Sequence, residues 1–501
     1  MFFKLRNHLL LALLFYLLTL FQQYSFFYFK KIPIVPFEFQ KYGIIFLFFF
    51  FLTFIKSDRF RFLGLSLILI LNFFQMAHLS YFGTQILPSE IYLLFSEFHE
   101  VFGTLKEDSL HIIIPLLFTC VPLGIGWKVH QKTKLSFGWK IIEIIVVIYF
   151  LYNPLRTYFT GNTWGRQPST RELAGMNVYL SFSYFIGRIL PHKLTLNEAQ
   201  ASTPNSSLEL NLDPHKTSEW DKIVLILGES LTPQHMQLFG YERETTPFLN
   251  SLKNDKNFFH TIGLSGGVST DISVAYFLNL GFGQAGALKA AKANHCLFKI
   301  AKAQGFKTHF FSIQSSQQLR YISPYLCSSF LDELKTLEDI SPQTSDHQAA
   351  LDRDLIAPLM NALKDSDKKL LMLHQRGSHS PWILRFSSEA KKFSGSKDPR
   401  TDYYDNSVYE FDLFWKKLHE ELSKTNQKVL VVYLSDHGEA LGVKGKWGHG
   451  FLESSAFEVP ILIKSYNKEL PQETKNLPKF MTHYNLGLWI AQETGQKLNQ
   501  S

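Results

Sequence analysis

The hydrophobic pattern of the chain changes character about a third of the way along. Up to about residue 155 the apolar positions form solid blocks, at residues 9–29, 42–55, 62–83, 110–127 and 141–155, with short basic patches between them. A bilayer core of roughly 30 Å asks for roughly 20 apolar residues in a helix. The pattern therefore predicts five membrane spans, the second and fifth blocks being short. The first block is too long for a cleaved leader and has no small-residue cleavage site. Lysine and arginine mark the cytoplasmic side. Lys4 and Arg6 precede the first block, Lys56, Arg59 and Arg61 separate the second from the third, and Lys128, Lys132, Lys134 and Lys140 separate the fourth from the fifth. Lys30, Lys31 and Lys41 argue weakly the other way. An odd number of spans then puts everything after residue 155 outside the cytoplasm. The loop 84–109 is also outside; its Ile91, Leu94, Phe95, Phe98 and Phe102 recur at helical spacing, as in a helix lying along the membrane surface.

Residues 156–194 mix aromatic and polar positions and are expected to form a helix leading away from the bilayer. Residues 195–220, rich in Asn, Ser, Thr and Pro, read as a linker. Beyond it, short apolar runs at 223–227, 306–313, 370–373, 429–434 and 460–463 alternate with helix-like segments. That alternation predicts an α/β domain with a largely parallel sheet, whose sites form beyond the carboxyl ends of the strands. The expected organisation is a transmembrane domain at 1–160, extracytoplasmic connecting helices and linker at 161–220, and an α/β domain at 221–501.

Composition changes this picture little. The chain has 501 residues, 47 of them phenylalanine, and a large share of these fall in the first third, as the apolar blocks require. The formal charge of +8 does not indicate a nucleic-acid partner, because the basic residues are scattered or sit at the ends of apolar blocks. Of three cysteines, Cys120 lies in an apolar block; Cys296 and Cys327 are either a disulfide or two buried thiols.

Two strand ends carry the sharpest chemical signal. The run 223–227 leads into Gly228-Glu229-Ser230, and 429–434 leads into Ser435-Asp436-His437-Gly438-Glu439. Carboxylate and imidazole at neighbouring strand tips suit a divalent metal such as zinc, although one such pair by itself is more often a turn or cap. Ser265-Gly266-Gly267-Val268-Ser269-Thr270-Asp271 adds glycines that permit close backbone approach and a hydroxyl at an expected helix start. A metal-bound Thr270 would be nucleophilic at neutral pH. Ser269 is the competing hydroxyl. His379, in Gly-Ser-His-Ser-Pro, and His449, in Trp-Gly-His-Gly, are glycine-neighboured loop histidines; each alone is more often a hydrogen-bonded turn residue, but two of them beside a metal-type pair point towards function.

With these residues in view, residues 222–464 resemble the alkaline-phosphatase/sulfatase superfamily, and the whole chain resembles the membrane-anchored bacterial phosphoethanolamine transferases. The motifs behind the likeness are Gly228-Glu229-Ser230, Phe239-Gly240-Tyr241, Arg243-Glu244-Thr245-Thr246-Pro247, Ser269-Thr270, Tyr404-Asp405-Asn406-Ser407, and Asp436-His437 followed twelve residues later by His449. The resemblance implies zinc held by Glu229, Thr270, Asp436 and His437, with Thr270 the nucleophile. It implies that His379 and His449 face the phosphoryl group, the leaving group or a second metal. It further implies a monomer in the bacterial inner membrane with its catalytic domain in the periplasm. There it would take phosphoethanolamine from phosphatidylethanolamine and pass it to lipid A or another envelope glycan. Gly266 and Tyr276 stand near positions where family members often carry cysteines, and Val-Ala-Tyr-Phe follows Ser273 in place of the usual Val-Pro-Cys.

Two other readings share parts of this pattern. Lipoteichoic-acid synthases, glycerophosphate transferases usually loaded with manganese, resemble the chain in span number, threonine and Glu-Asp-His set; the Arg-Glu-Thr-Thr-Pro run favours the phosphoethanolamine branch. A non-catalytic membrane sensor or scaffold would be expected to have an eroded site, and all six positions are intact. A sulfatase activity is disfavoured, because no Cys or Ser followed by Pro and Arg surrounds Thr270.

Overall fold

The computed structural model describes residues 2–32, 39–96, 103, 109–135, 137–160, 174–191, 217–281, 295–319, 322–342 and 350–496. Phe98, Phe102 and nearly all of the expected linker lie outside them. The chain divides into two compact units, Met1–Thr195 and Leu196–Ser501.

The first unit is helical: α1 (Phe2–Phe29), α2 (Phe39–Leu52), α3 (Asp58–Phe82), α4 (Pro88–Ser96), α5 (Leu110–Lys132), α6 (Lys140–Thr160) and α7 (Ala174–Tyr184). Among the described residues four helices are long and apolar enough to cross a membrane, Leu5–Phe29, Asp58–Phe82, Leu110–Lys132 and Lys140–Thr160. The second expected span is a shorter apolar helix, Tyr42–Leu52. Block 141–155, thought short, gains length because the polar residues Lys140, Arg156 and Thr157 extend the same helix. The expectation that a helix at 156–194 leads away is corrected. After α6, α7 packs back on α3, with Gly175 N–H donating to Asn72 Oδ1 at 2.5 Å and Asn177 Nδ2 to Gln75 Oε1 at 2.8 Å. Its Ala174, Gly175, Asn177 and Val178 are buried, so its small and amide residues match a helix contact, a feature that aromatic–polar mixing in the sequence did not convey.

The second unit is built on a seven-stranded sheet. Its strands are β1 (Lys222–Gly228), β2 (Phe258–Leu264), β3 (Lys307–Ser312), β4 (Glu333–Lys335), β5 (Lys369–His374), β6 (Val429–Ser435) and β9 (Glu458–Tyr466), in the order β2-β9-β6-β1-β5-β3-β4. A small hairpin, β7 (Ala440–Val443) with β8 (Lys446–Gly448), stands apart. The strands β6, β1, β5, β3 and β4 are mutually parallel, whereas β9 runs antiparallel to both β6 and β2. All five expected strands are present; β2, β4 and the hairpin were not read from the sequence. In β2, five of the seven positions are only partly buried, so no clean apolar run marks it.

Both sheet faces are covered, which is why the central strands are apolar without alternation. Ile223, Leu225 and Leu227 pack with α8 (Thr270–Leu278), α9 (Leu297–Ala303) and α11 (His483–Glu493). Val224 and Ile226 pack on the other face against Tyr404, Val408, Phe414 and Leu418 of α10 (Pro399–Leu422). Cys296 and Cys327 form a disulfide that fastens the start of α9.

Candidate metal and phosphoryl-transfer site

Three adjacent central strands deliver the site. In the order β6-β1-β5, β1 ends at Gly228 and presents Glu229, β6 ends at Ser435 and presents Asp436 and His437, and β5 leads into the loop bearing His379. Parallel registration of β1 with β6, continued by Asp436 N–H donating to Gly228 O at 3.0 Å, brings Glu229 and Asp436 together. The third component comes from the edge: β2 runs through Ser265 and the glycines to α8. Ser269 caps α8 and Thr270 is its first residue.

Thr270 Oγ1 donates to Glu229 Oε1 at 3.1 Å and lies 3.4 Å from His437 Nε2. His437 Nε2 is 3.4 Å from Glu229 Oε1 and 3.2 Å from Asp436 Oδ2. His437 Nδ1 is 2.9 Å from the carbonyl oxygen of Gly438. A carbonyl only accepts, so Nδ1 carries the proton and, in the neutral ring, the Nε2 lone pair faces two carboxylate oxygens and a hydroxyl. That arrangement is stable only if Nε2 is protonated or a cation sits among the four groups. Asp436 Oδ2 is buried and has no hydrogen-bond partner among the described residues. Tetrahedral zinc, with bonds of roughly 2.0–2.2 Å, separates its ligand atoms by about 3.3–3.6 Å. The observed spacings of 3.1–3.4 Å fit such an ion with little movement.

The electrostatics agree. Burial works to raise the Glu229 carboxyl, but its hydrogen bond and charge contact with His437 prevail and hold it well below the usual range. Burial, then the Glu229 charge, pushes Asp436 up to about 7. Burial opposes charge on His437, yet Asp436 and Glu229 lift it to about 10. Two carboxylates forced together thus hold on to a proton where a divalent cation would replace it.

Ser269 and Thr270 differ in position. Ser269 Oγ donates to Asp271 Oδ1 at 2.8 Å, whereas Thr270 Oγ1 faces the metal-type ligands. His379 and His449 approach the same region: the ring centroids of His437 and His449 are 3.9 Å apart and those of His379 and His449 5.9 Å. Burial, reinforced by His437 and His379, pushes His449 well below the ordinary imidazole value. All six sequence candidates therefore lie in one cluster.

Three contributors were not singled out in the sequence. Glu439 is 1% exposed; its Oε2 lies 2.9 Å from His449 Nδ1, and its Oε1 has no hydrogen-bond partner among the described residues. With His437 and His449 it forms a second group able to hold a cation. Its place in the Asp-His-Gly-Glu run was the available signal. His483, the first residue of α11, donates from Nε2 to Ser435 O at 3.0 Å and accepts from Gly266 N–H at 3.3 Å, joining the glycine loop before Thr270 to the end of β6. No local pattern announces that role. Gly377 has φ +52°, and a Cβ there would run into the Glu229 carbonyl, so only glycine lets the His379 loop lie against β1. Gly266 and Tyr276 are neighbours: a Cβ on Gly266 would meet Tyr276 Cβ at 2.9 Å.

A mostly parallel α/β sheet with a threonine hydroxyl beside a Glu-Asp-His set at its carboxyl edge defines a class, and the Sulfatase family profile matches residues 221–488. The chain belongs to the sulfatase family. Within it, the chain is 24% identical over 408 residues to the phosphoethanolamine transferase EptA of Helicobacter pylori, covering 77% of this chain and 72% of that protein. It is 28% identical over 265 residues to the Kdo(2)-lipid A phosphoethanolamine 7''-transferase of Salmonella typhimurium, covering 50% of this chain but only 45% of the relative. The solved integral-membrane lipooligosaccharide phosphoethanolamine transferase A of Neisseria meningitidis superposes with a TM-score of 0.62 at 18% identity, covering 96% of this chain and 95% of that one. The zinc complex of the periplasmic EptC domain of Escherichia coli gives 0.50 at 22% identity, over 58% of this chain and 86% of that domain. The expected fold, an apolar helical region followed by a sulfatase-type α/β domain, is thereby borne out.

Proposed function

We propose that this protein transfers phosphoethanolamine from phosphatidylethanolamine to a lipid A or other envelope-glycan acceptor, through a covalent intermediate on Thr270. The observation carrying this reading is the convergence of Glu229, Asp436, His437 and the hydroxyl of the half-buried Thr270 on one point. Relatives named as phosphoethanolamine transferases supply the substrate class. Glu229, Thr270, Asp436 and His437 would hold zinc; the Glu439–His449 pair beside it could take a second ion. Bound zinc supplies Lewis acidity that lets a threonine hydroxyl ionise near neutral pH and offsets charge on the phosphoryl oxygens.

Thr270 Oγ1 attacks phosphorus and the bond from phosphorus to the glyceride oxygen breaks. The proton lost by Thr270 is the one the departing diacylglycerol finally carries. An acceptor oxygen then attacks the phosphothreonine, and its proton returns to Thr270. His449, uncharged and steadied through Nδ1 by Glu439, is suited to relay these protons with His379. The start of α8 favours the anionic phosphoryl group. A multi-pass anchor in the inner membrane, with the α/β domain in the periplasm, is supported by the lysine and arginine pattern, the apolar helices and the Cys296–Cys327 disulfide, since disulfides persist outside the cytoplasm.

Incubating the purified protein with phosphatidylethanolamine and no acceptor should add one phosphoethanolamine mass to the peptide containing Thr270. Thr270→Ala should abolish transfer while the protein stays folded. A glycerophosphate mass would point to the synthase-like alternative; an adduct on Ser269, or full turnover by the alanine variant, would sink the assignment.

A further inference from the structure

The run Tyr404-Asp405-Asn406-Ser407 touches none of the four converging atoms, yet each of its side chains holds a different loop around the site. Asn406 Oδ1 accepts from the backbone N–H groups of Lys392 and Phe393 at 2.9 and 2.7 Å. Asp405 accepts from the Tyr241 hydroxyl at 2.9 Å and Arg243 Nη1 at 2.8 Å, and lies 2.7 Å from His235 Nδ1. Ser407 Oγ is 2.9 Å from Ser378 Oγ, beside His379. Tyr404, fully buried, donates to Ser230 O at 2.8 Å and accepts from Thr232 N–H at 2.9 Å.

The Tyr404 contact falls on an unusual piece of backbone. Ser230 has φ +57°, in the left-handed region that a residue with a side chain adopts at a cost. In this turn Ser230 N–H donates to Asp436 Oδ1 at 3.0 Å directly after Glu229, while Ser378 N–H donates to the Glu229 carbonyl at 2.9 Å. Leu231 N–H donates to Ser435 Oγ at 2.9 Å. The turn thus fixes Glu229 and Asp436 relative to each other, and one phenol closes it from both sides by bonding residues 230 and 232. Burial keeps this phenol protonated, and so able to donate.

We propose that Tyr404 is a positioning residue: its hydroxyl holds the left-handed turn at Ser230 that aims Glu229 and Asp436 at a common cation. The proposal rests on the zinc reading above. Removing a group that orients metal ligands typically costs roughly 10–100-fold in metal affinity. Tyr404→Phe, which deletes one oxygen, should therefore weaken zinc binding to the full-length protein by about that factor. Binding is measured by competition with a chromophoric chelator, alongside thermal unfolding of the metal-free protein.

The discriminating variant is Tyr404→Phe combined with Ser230→Gly. Glycine adopts positive φ without the steric cost, so the double variant should regain much of the lost affinity. Leu418→Ala, buried on the same helix but remote from the turn, should lower thermal stability and leave zinc affinity unchanged. If the natural protein takes up no zinc, the zinc reading itself fails. If it binds zinc and Tyr404→Phe binds equally well, or glycine restores nothing, the positioning role is wrong. Should Tyr404→Phe fail to fold, recovery of folded, zinc-binding protein by the added Ser230→Gly supports the role; failure of both while Leu418→Ala folds overturns it.

Discussion

In the helical unit, Leu47, Leu117 and Ile148 are 62%, 60% and 58% exposed, while Gln22, Asn72 and Gln75 are completely enclosed. In the α/β unit the relation is inverted: Leu225, Phe277, Phe310 and Val432 are fully buried on the sheet. Each unit hides what its own solvent would not stabilise. A side chain facing lipid tails gains nothing by leaving them, so helix association there depends on close packing and on hydrogen bonds. Asn72 illustrates this: it donates to Gln22 Oε1 at 3.0 Å and accepts from Gly175 N–H, tying α3 to α1 and α7. Gln22 Nε2 reaches on to Thr119 of α5 at 2.8 Å. In the α/β unit, cohesion comes from apolar burial. Where three strand ends meet, Glu229, Asp436 and His437 are buried side by side, in an arrangement suited to a metal.

The inversion is open to direct tests. Phe277→Ala should cost about 3–5 kcal/mol by opening a cavity under α8, whereas Leu117→Ala, facing outward on α5, should change stability by less than about 0.5 kcal/mol. Unfolding of the two variants in the same detergent decides it; equal losses would remove the contrast.

A smaller effect should come from pH. Burial pushes His483 down to about 4, in keeping with its neutral role between Ser435 O and Gly266 N–H. The folded value lies below the unfolded value near 6.5, so its contribution is complete above that pH and is lost as pH falls from 6.5 through 4. At most about 3 kcal/mol is at stake. His483→Gln should flatten the acid limb of the metal-free stability curve; an unchanged slope would show that the ring already accommodates the proton. The amides linking α1, α3 and α7 do not titrate and should contribute no such slope.

A smaller loss still is expected from the amide contacts of the helical unit: Asn72→Ala should cost about 1 kcal/mol, in the range found for interhelical hydrogen bonds in membranes. A loss as large as that of Phe277→Ala would mean that polar contacts dominate there far more than packing does.

Much of this was legible in the sequence where the signal is local. Solid apolar blocks announce helices for lipid because backbone satisfaction leaves few other ways to cross a bilayer. Unbroken runs such as 429–434 announce strands covered on both faces. Glu229, Asp436, His437 and Thr270 stood out because each follows a strand end or opens a helix, positions readable within about ten residues. What failed to show was whatever depends on partners far along the chain. β2 is half exposed and carries no alternating pattern; it becomes a strand by pairing with β9, two hundred residues later. The departure expected of residues 156–194 gave way to α7 because Gly175 and Asn177 find amide partners on α3. Glu439, His483 and Tyr404 acquire their roles only when separate loops are folded against one another. The sequence by itself determined the chemical kind of each region and the residues able to do chemistry. Only the tertiary structure decided which hydroxyl faces the ligands, which amides lock the helices together and which side chains hold the site in shape, because hydrogen-bond geometry between distant segments is a property of their approach and not of their composition.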